Sequence, residues 1–252
     1  MRELYGMDLP LVWRWLHHNN RLIFSILEKL SSVVPEEYPF RHIIGSVYPN
    51  SIEEYRKLFP FREYMVPSYP ELGRTIVYLD DDSVDKFWLK EFSKSISEDL
   101  ISVLIKKLNP PSYFNLSGGG FIPVWDSSYK IKYTYDWNFV EDFGGQANQL
   151  GWSFPPHTDA VSKLMSLVIP LSNDDEAEKF SGTTIYKSKN SSCSFHGERA
   201  NVEDFEVVYT QPHRAGNFIG IPKLLDSWHG VDPMITLKGE SRKTIILMVR
   251  RK

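Results

Sequence analysis

Apolar positions recur along this chain with a period of 3.6 in its first half and a period of two in its second. Over residues 9–34, Leu16, Ile23, Leu27 and Leu30 fall on one helical face, with Asp8 placed to cap the start, Pro10 in the first turn and Pro35 beyond the end. A short helical stretch comes next over residues 51–58, then a strand at Thr75–Leu79. A longer helix is predicted from Ser83, its cap, with Leu89, Phe92, Ile96, Leu100 and Val103 as the buried face, stopping before Asn109-Pro110-Pro111. From Tyr129 the pattern changes. Tyr129–Tyr135 alternates so that Ile131, Tyr133 and Tyr135 share a face, and strand-like runs recur at Leu164–Leu171, Gly182–Tyr186, Glu206–Tyr209, Phe218–Ile221 and Arg242–Val249. Residues 136–152 read as a polar, glycine-containing insertion. The expected class is α+β, a double-stranded β-helix (jelly roll) over residues 111–252 with a helix-rich region, residues 1–110, packed on it.

Composition narrows the function more than the fold. The chain has 252 residues, 42% of them hydrophobic and 24% charged, enough for a full core. Aromatic residues at 14% suit a β-rich fold with a ring-lined pocket. A net charge of −3 gives no basic footprint for nucleic acid. No run is long and apolar enough for a membrane span, and the first residues do not read as a secretory signal. The single cysteine, Cys193, cannot form an internal disulfide, which fits a reducing, cytoplasmic location. Leu116–Phe121 is glycine-rich but lacks a following Gly-Lys-Ser/Thr and reads as a turn, and Asp80-Asp81-Asp82 reads as favourable charge at a helix start.

The candidate chemistry lies in the second half. His157 and Asp159 are two apart, so an extended chain projects both from one face. His229, 72 residues on, can supply a second imidazole. Two histidines and a carboxylate on one face of a cation leave adjacent coordination positions open, the arrangement of non-haem Fe(II) oxygenases. His196 sits in a serine-rich loop and His213 precedes Arg214, whose charge opposes a cation, so His229 is the stronger third ligand. His17 and His18 read as solvated or half-buried helical residues rather than ligands. The same donors can hold zinc, but no H-E-x-x-H helix accompanies them.

The joint pattern of His157-x-Asp159, the distal His229 and Arg242-x-Thr244 resembles that of the Fe(II)/2-oxoglutarate-dependent dioxygenase superfamily, closest to its prolyl-hydroxylase-like branches. The resemblance spans roughly the C-terminal half. It implies Fe(II) held by His157, Asp159 and His229, with 2-oxoglutarate as cosubstrate, O2 as oxidant, and succinate and carbon dioxide as coproducts. It further implies Arg242 and Thr244 as the anchor of the cosubstrate's distal carboxylate, with Lys163 as an alternative cation. Tyr135, or its neighbour Tyr133, would contact the cosubstrate, the alternative for either being a plain aromatic core position. Because Asp159 supplies a carboxylate ligand, the implied reaction is hydroxylation or another oxidation rather than halogenation, on a small molecule or an amino-acid or peptide substrate. The competing reading is a non-catalytic jelly roll that binds or senses a ligand.

Overall fold

The period-two runs become two facing antiparallel sheets. The computed structural model describes residues 22–47, 52–60, 62–69, 73–116, 120–143, 153–172, 180–233 and 240–252. The strands are β1 (Ile43–Ser46), β2 (Val66–Tyr69), β3 (Arg74–Tyr78), β4 (Tyr113–Asn115), β5 (Ile122–Val124), β6 (Tyr133–Phe143), β7 (Phe154–His157), β8 (Lys163–Pro170), β9 (Thr183–Ser188), β10 (Phe205–Gln211), β11 (Asn217–Pro222), β12 (His229–Val231) and β13 (Ser241–Arg251). The helices are α1 (Leu22–Ser32), α2 (Ile52–Lys57), α3 (Lys86–Glu91) and α4 (Lys94–Leu108). The larger sheet runs β1-β11-β8-β13-β6-β3-β2, the smaller β10-β9-β12-β7, and β4 and β5 form a separate hairpin. The two large sheets form the double-stranded β-helix. Strands β1, β2 and β3, from the first 110 residues, belong to the larger sheet.

Side-chain alternation divides that sheet into two chemistries. On its outer face Trp137 and Phe139 of β6, Leu167 and Ile169 of β8, and Ile245, Leu247 and Val249 of β13 meet Leu22, Ile26, Leu100 and Leu104 of the helices in one buried cluster. Each such aliphatic side chain stabilises the fold by about 1.5–3 kcal/mol through removal from water. On its inner face Arg242, Ile246, Met248 and Arg250 of β13 line a cavity closed by the smaller sheet. The larger apolar core therefore sits between sheet and helices. Between the sheets a smaller one, Ile185 of β9 against Ile219 and Ile221 of β11, leaves room for the cavity and its polar groups.

The helix predicted from Ser83 is instead two helices. Asp85 caps α3, accepting from the Phe87 amide at 2.7 Å, and Ser93 takes the N-cap position of α4. The break at Phe92 lets aromatic packing govern the path: Trp88 stacks on Phe92, and Phe92 on Trp137 at a centroid distance of 4.1 Å. Leu89, expected in the core, is consequently exposed. The acidic triplet lies in a turn before α3, where Asp81 accepts from the Ser83 amide and hydroxyl. Asn109 ends α4 in the left-handed conformation, ahead of Pro110. The predicted insertion over 136–152 is also corrected, because β6 continues unbroken to Phe143. The start of the first predicted helix, with His17 and His18, lies outside the described residues, as do 144–152. No helix among the described residues is long and apolar enough to cross a membrane.

Candidate metal centre

Strands β7 and β12 bring the two histidines together. His157 and His229 are directly opposite in the antiparallel register, with ring centroids 4.4 Å apart. The approach depends on Gly230, where a Cβ would stand 2.5 Å from the Phe154 carbonyl oxygen. Asp159 comes just after the end of β7 with its side chain on the His157 side. The intervening Thr158 turns away and donates to the Ser194 carbonyl at 2.8 Å. One ligand atom each from His157, Asp159 and His229 falls within 4.8 Å of the others, an arrangement that can hold a metal ion.

The protonation states suit that use. His157 Nδ1 lies 3.0 Å from the Pro155 carbonyl oxygen and His229 Nδ1 lies 2.9 Å from that of Ser227. A carbonyl accepts only, so each Nδ1 carries the proton and each Nε2 presents its lone pair. Burial lowers the pKa of both rings, His157 well below its usual range with His229 adding to the effect, so both are neutral at neutral pH. Burial opposes ionisation of Asp159, yet the Lys163 ammonium beside it outweighs burial and holds the carboxyl well below the usual carboxylate range. Lys163 contacts Asp159 Oδ1, and the Ser166 hydroxyl donates to Oδ2 at 2.9 Å. The donor set is that of a divalent transition metal: two neutral imidazoles and one ionised carboxylate, each oriented by a second hydrogen bond.

These groups line a cavity of about 440 Å³. Arg242 stands at one end, 2% exposed, with its Nη1 donating to Asp142 Oδ2 at 2.8 Å and its Nε to the Ser181 carbonyl at 3.2 Å. Burial lowers its pKa to about 10, so the guanidinium keeps its charge at neutral pH. Arg74 forks onto the same carboxylate, Nε to Oδ1 at 2.6 Å and Nη2 to Oδ2 at 3.1 Å. Two guanidiniums thus share one carboxylate. Thr244, two residues along β13, is buried, and its hydroxyl has no partner among the described residues. A cationic fork beside an unsatisfied buried hydroxyl fits the carboxylate end of a dianion.

The structure brings His157, Asp159, His229, Arg242, Thr244 and Lys163 to this region, with Lys163 on Asp159, and sets the remaining sequence-predicted residues at its rim or outside it. Tyr135 and Tyr133 lie on the opposite face of β6, packed against the helix-side core, so neither lines the cavity. His213 is buried with Nε2 3.1 Å from the Lys243 carbonyl oxygen, outside the triad, and His196 stands at the cavity rim. Sequence reasoning missed Arg74, Asp142, Ser166 and Arg199. For Asp142 the available signal was the alternation Asp136, Asn138, Val140, Asp142 along β6. Arg199 bridges to His157 through the backbone and lies 4.9 Å from the Phe154 ring centroid, as does Arg74.

No family model and no curated protein matches this sequence. Solved structures do match in fold. A prolyl hydroxylase from Trichoplax adhaerens, solved in complex with a hypoxia inducible factor oxygen degradation domain peptide fragment, is 14% identical, with 98% of this chain and 94% of that chain covered and a TM-score of 0.50. The epimerase SnoN, solved in complex with Fe3+, alpha ketoglutarate and nogalamycin RO, is 12% identical, with 91% of this chain and 83% of that chain covered and a TM-score of 0.51. At such low identity the likeness establishes the fold.

Proposed function

We propose that this chain is an Fe(II)- and 2-oxoglutarate-dependent oxygenase that oxidises a C–H bond, by hydroxylation, of a small-molecule or amino-acid or peptide substrate. One observation carries the reading: two neutral imidazoles and an ionised carboxylate converge in the same cavity as a buried, charged guanidinium. When bound, iron and 2-oxoglutarate together supply an oxidant made from O2, with succinate and carbon dioxide as coproducts.

The protein's own groups supply placement. His157, Asp159 and His229 would hold the metal from one side, leaving its other side toward the cavity. Arg242, steadied by Asp142, would receive the distal carboxylate of 2-oxoglutarate, with the Thr244 hydroxyl as a second donor. Val140 and Ile246, from the inner face of the sheet, line the same cavity and limit water near these groups. Support from the fold is consistent in kind: one neighbour was solved with Fe3+ and alpha ketoglutarate, and the two neighbours carry a peptide and a small molecule.

The test is release of succinate from 2-oxoglutarate by purified protein with Fe(II) and O2, in parallel with His157→Ala. Turnover in the parent protein and none in the variant is the expected result. Absence of both metal binding and 2-oxoglutarate turnover in the parent protein would favour the ligand-binding jelly roll.

A further inference from the structure

The cavity has a cationic group toward each end of β13, and Arg250, at the end away from Arg242, has no role in the proposed placement of metal and cosubstrate. Arg250 lies eight residues from Arg242 on the same face, roughly 26 Å along the strand. Its antiparallel neighbour is Lys163 of β8, and both line the cavity. Like charges directly opposite on paired strands repel. Here each is offset by one carboxylate: Lys163 contacts Asp159, and Arg250 Nε donates to Asp136 Oδ2 at 3.2 Å. Among the described residues the Arg250 guanidinium has one further contact, a weak one from Nη2 to Met248 Sδ at 3.6 Å.

Lys163 and the metal make competing claims on Asp159. The ammonium sits on Oδ1, while Ser166 holds Oδ2. A divalent cation on Asp159 draws on the same negative charge and repels the ammonium. Metal loading therefore leaves Lys163 opposite Arg250 with one carboxylate, Asp136 on Arg250, to offset the two, an excess of positive charge facing the cavity. An incoming anion restores the balance. At the other end, Asp142 and the cosubstrate's distal carboxylate already do so.

We propose that Lys163 and Arg250 form a binding site for an oxyanion, carboxylate or phosphate, carried by the substrate, and that metal loading opens this site by taking Asp159 away from Lys163. The proposal rests on the reading of His157, Asp159 and His229 as the metal site.

Mn(II) titration of the metal-free protein, monitored by electron paramagnetic resonance, tests that premise separately, with binding expected in the parent protein and lost in His157→Ala. If the parent protein takes no Mn(II), the metal reading fails and this proposal with it. Given binding, Lys163→Gln should bind Mn(II) about tenfold more tightly, because one charge-assisted competitor for Asp159 is gone. Inorganic phosphate and 13C-labelled acetate are then added to Mn(II)- and 2-oxoglutarate-loaded protein, and their nuclear relaxation is measured. At least one should relax several-fold faster with the parent protein than with Lys163→Gln/Arg250→Gln, and the one that does assigns phosphate or carboxylate as the group. Arg250→Gln alone, at a partly exposed position, carries this arm should the Lys163 variant not fold. Unchanged or weaker Mn(II) binding by Lys163→Gln overturns the proposal. So does phosphate and acetate relaxation that is equal in parent and variant.

Discussion

Replacing Asp142 by asparagine tests whether the cationic end of the cavity is held together as the geometry implies. The Asp142 side chain is fully buried and accepts three hydrogen bonds, two from Arg74 and one from Arg242. Asparagine keeps the shape, but its NH2 group must face a guanidinium whichever way the amide turns, and two cations lose the anion they share. Removing one partner of a buried ion pair costs about 3–5 kcal/mol, and an isosteric amide that still accepts one bond should fall near 3. For a chain of this size each kcal/mol lowers the unfolding midpoint by about 2–4 °C, so a drop of about 6–12 °C is expected. Differential scanning calorimetry of the metal-free protein reads it. Asp136→Asn is the control, because its pair with Arg250 is largely solvated (43% and 32% exposed) and should cost under about 1 kcal/mol. Saturating 2-oxoglutarate should narrow the Asp142→Asn deficit, since its distal carboxylate returns an anion to Arg242. A midpoint indistinguishable from that of Asp136→Asn would refute the argument.

Single contacts carry three further predictions. Lys223 is fully buried, donating to Thr158 Oγ1 at 2.8 Å and the Ser194 carbonyl at 2.9 Å, and burial pulls its pKa from 10.5 down to about 8. Between those values the unfolded chain holds the proton that the folded chain has released, so this group makes stability rise with pH across that window, by about 3 kcal/mol in total. Lys223→Met should remove the rise, read as the difference between urea midpoints at the two ends of the window, and parallel profiles for parent and variant would contradict it. Gly230→Ala places a methyl against the Phe154 carbonyl, pushing β12 from β7; a loss of about 1–3 kcal/mol in urea unfolding and weaker Mn(II) binding are expected, and an unchanged protein would show that the strands have slack. Ser166→Ala removes the hydroxyl on Asp159 Oδ2 and should weaken Mn(II) binding about tenfold by titration, whereas an equal affinity would mean Asp159 is held elsewhere.

The contrast between what the sequence reveals and what it hides comes down to parity. Within one strand alternation is readable: His157 and Asp159 share a side, as do Arg242 and Thr244, and the outward run Ile245, Leu247, Val249 is plain. Strand β6 is harder, because its inward residues Asp136, Asn138 and Asp142 are polar. A strand that turns polar groups into a buried cavity has the composition of a loop, which is why residues 136–143 read as one. The split between α3 and α4 is hidden for another reason, since it is set by rings from α3 and β6 stacking across the core rather than by Pro or Gly at the break. Pairing between strands is not written locally at all. Arg242 pairs with Asp142 and Val249 with Tyr135, and Arg242 and Val249 are seven residues apart, an odd number. If Arg242 faces the cavity, Val249 and its partner Tyr135 must face the helices. Between β13 and β8 the register shifts at Val249/Arg250, and that shift sets Arg250 opposite Lys163 rather than Leu164, a juxtaposition that no spacing in the sequence announces. One pairing, β13 with its two neighbours, therefore decides which charged groups meet around Asp159, and shifting it by one residue would exchange the cavity's chemistry for the core's.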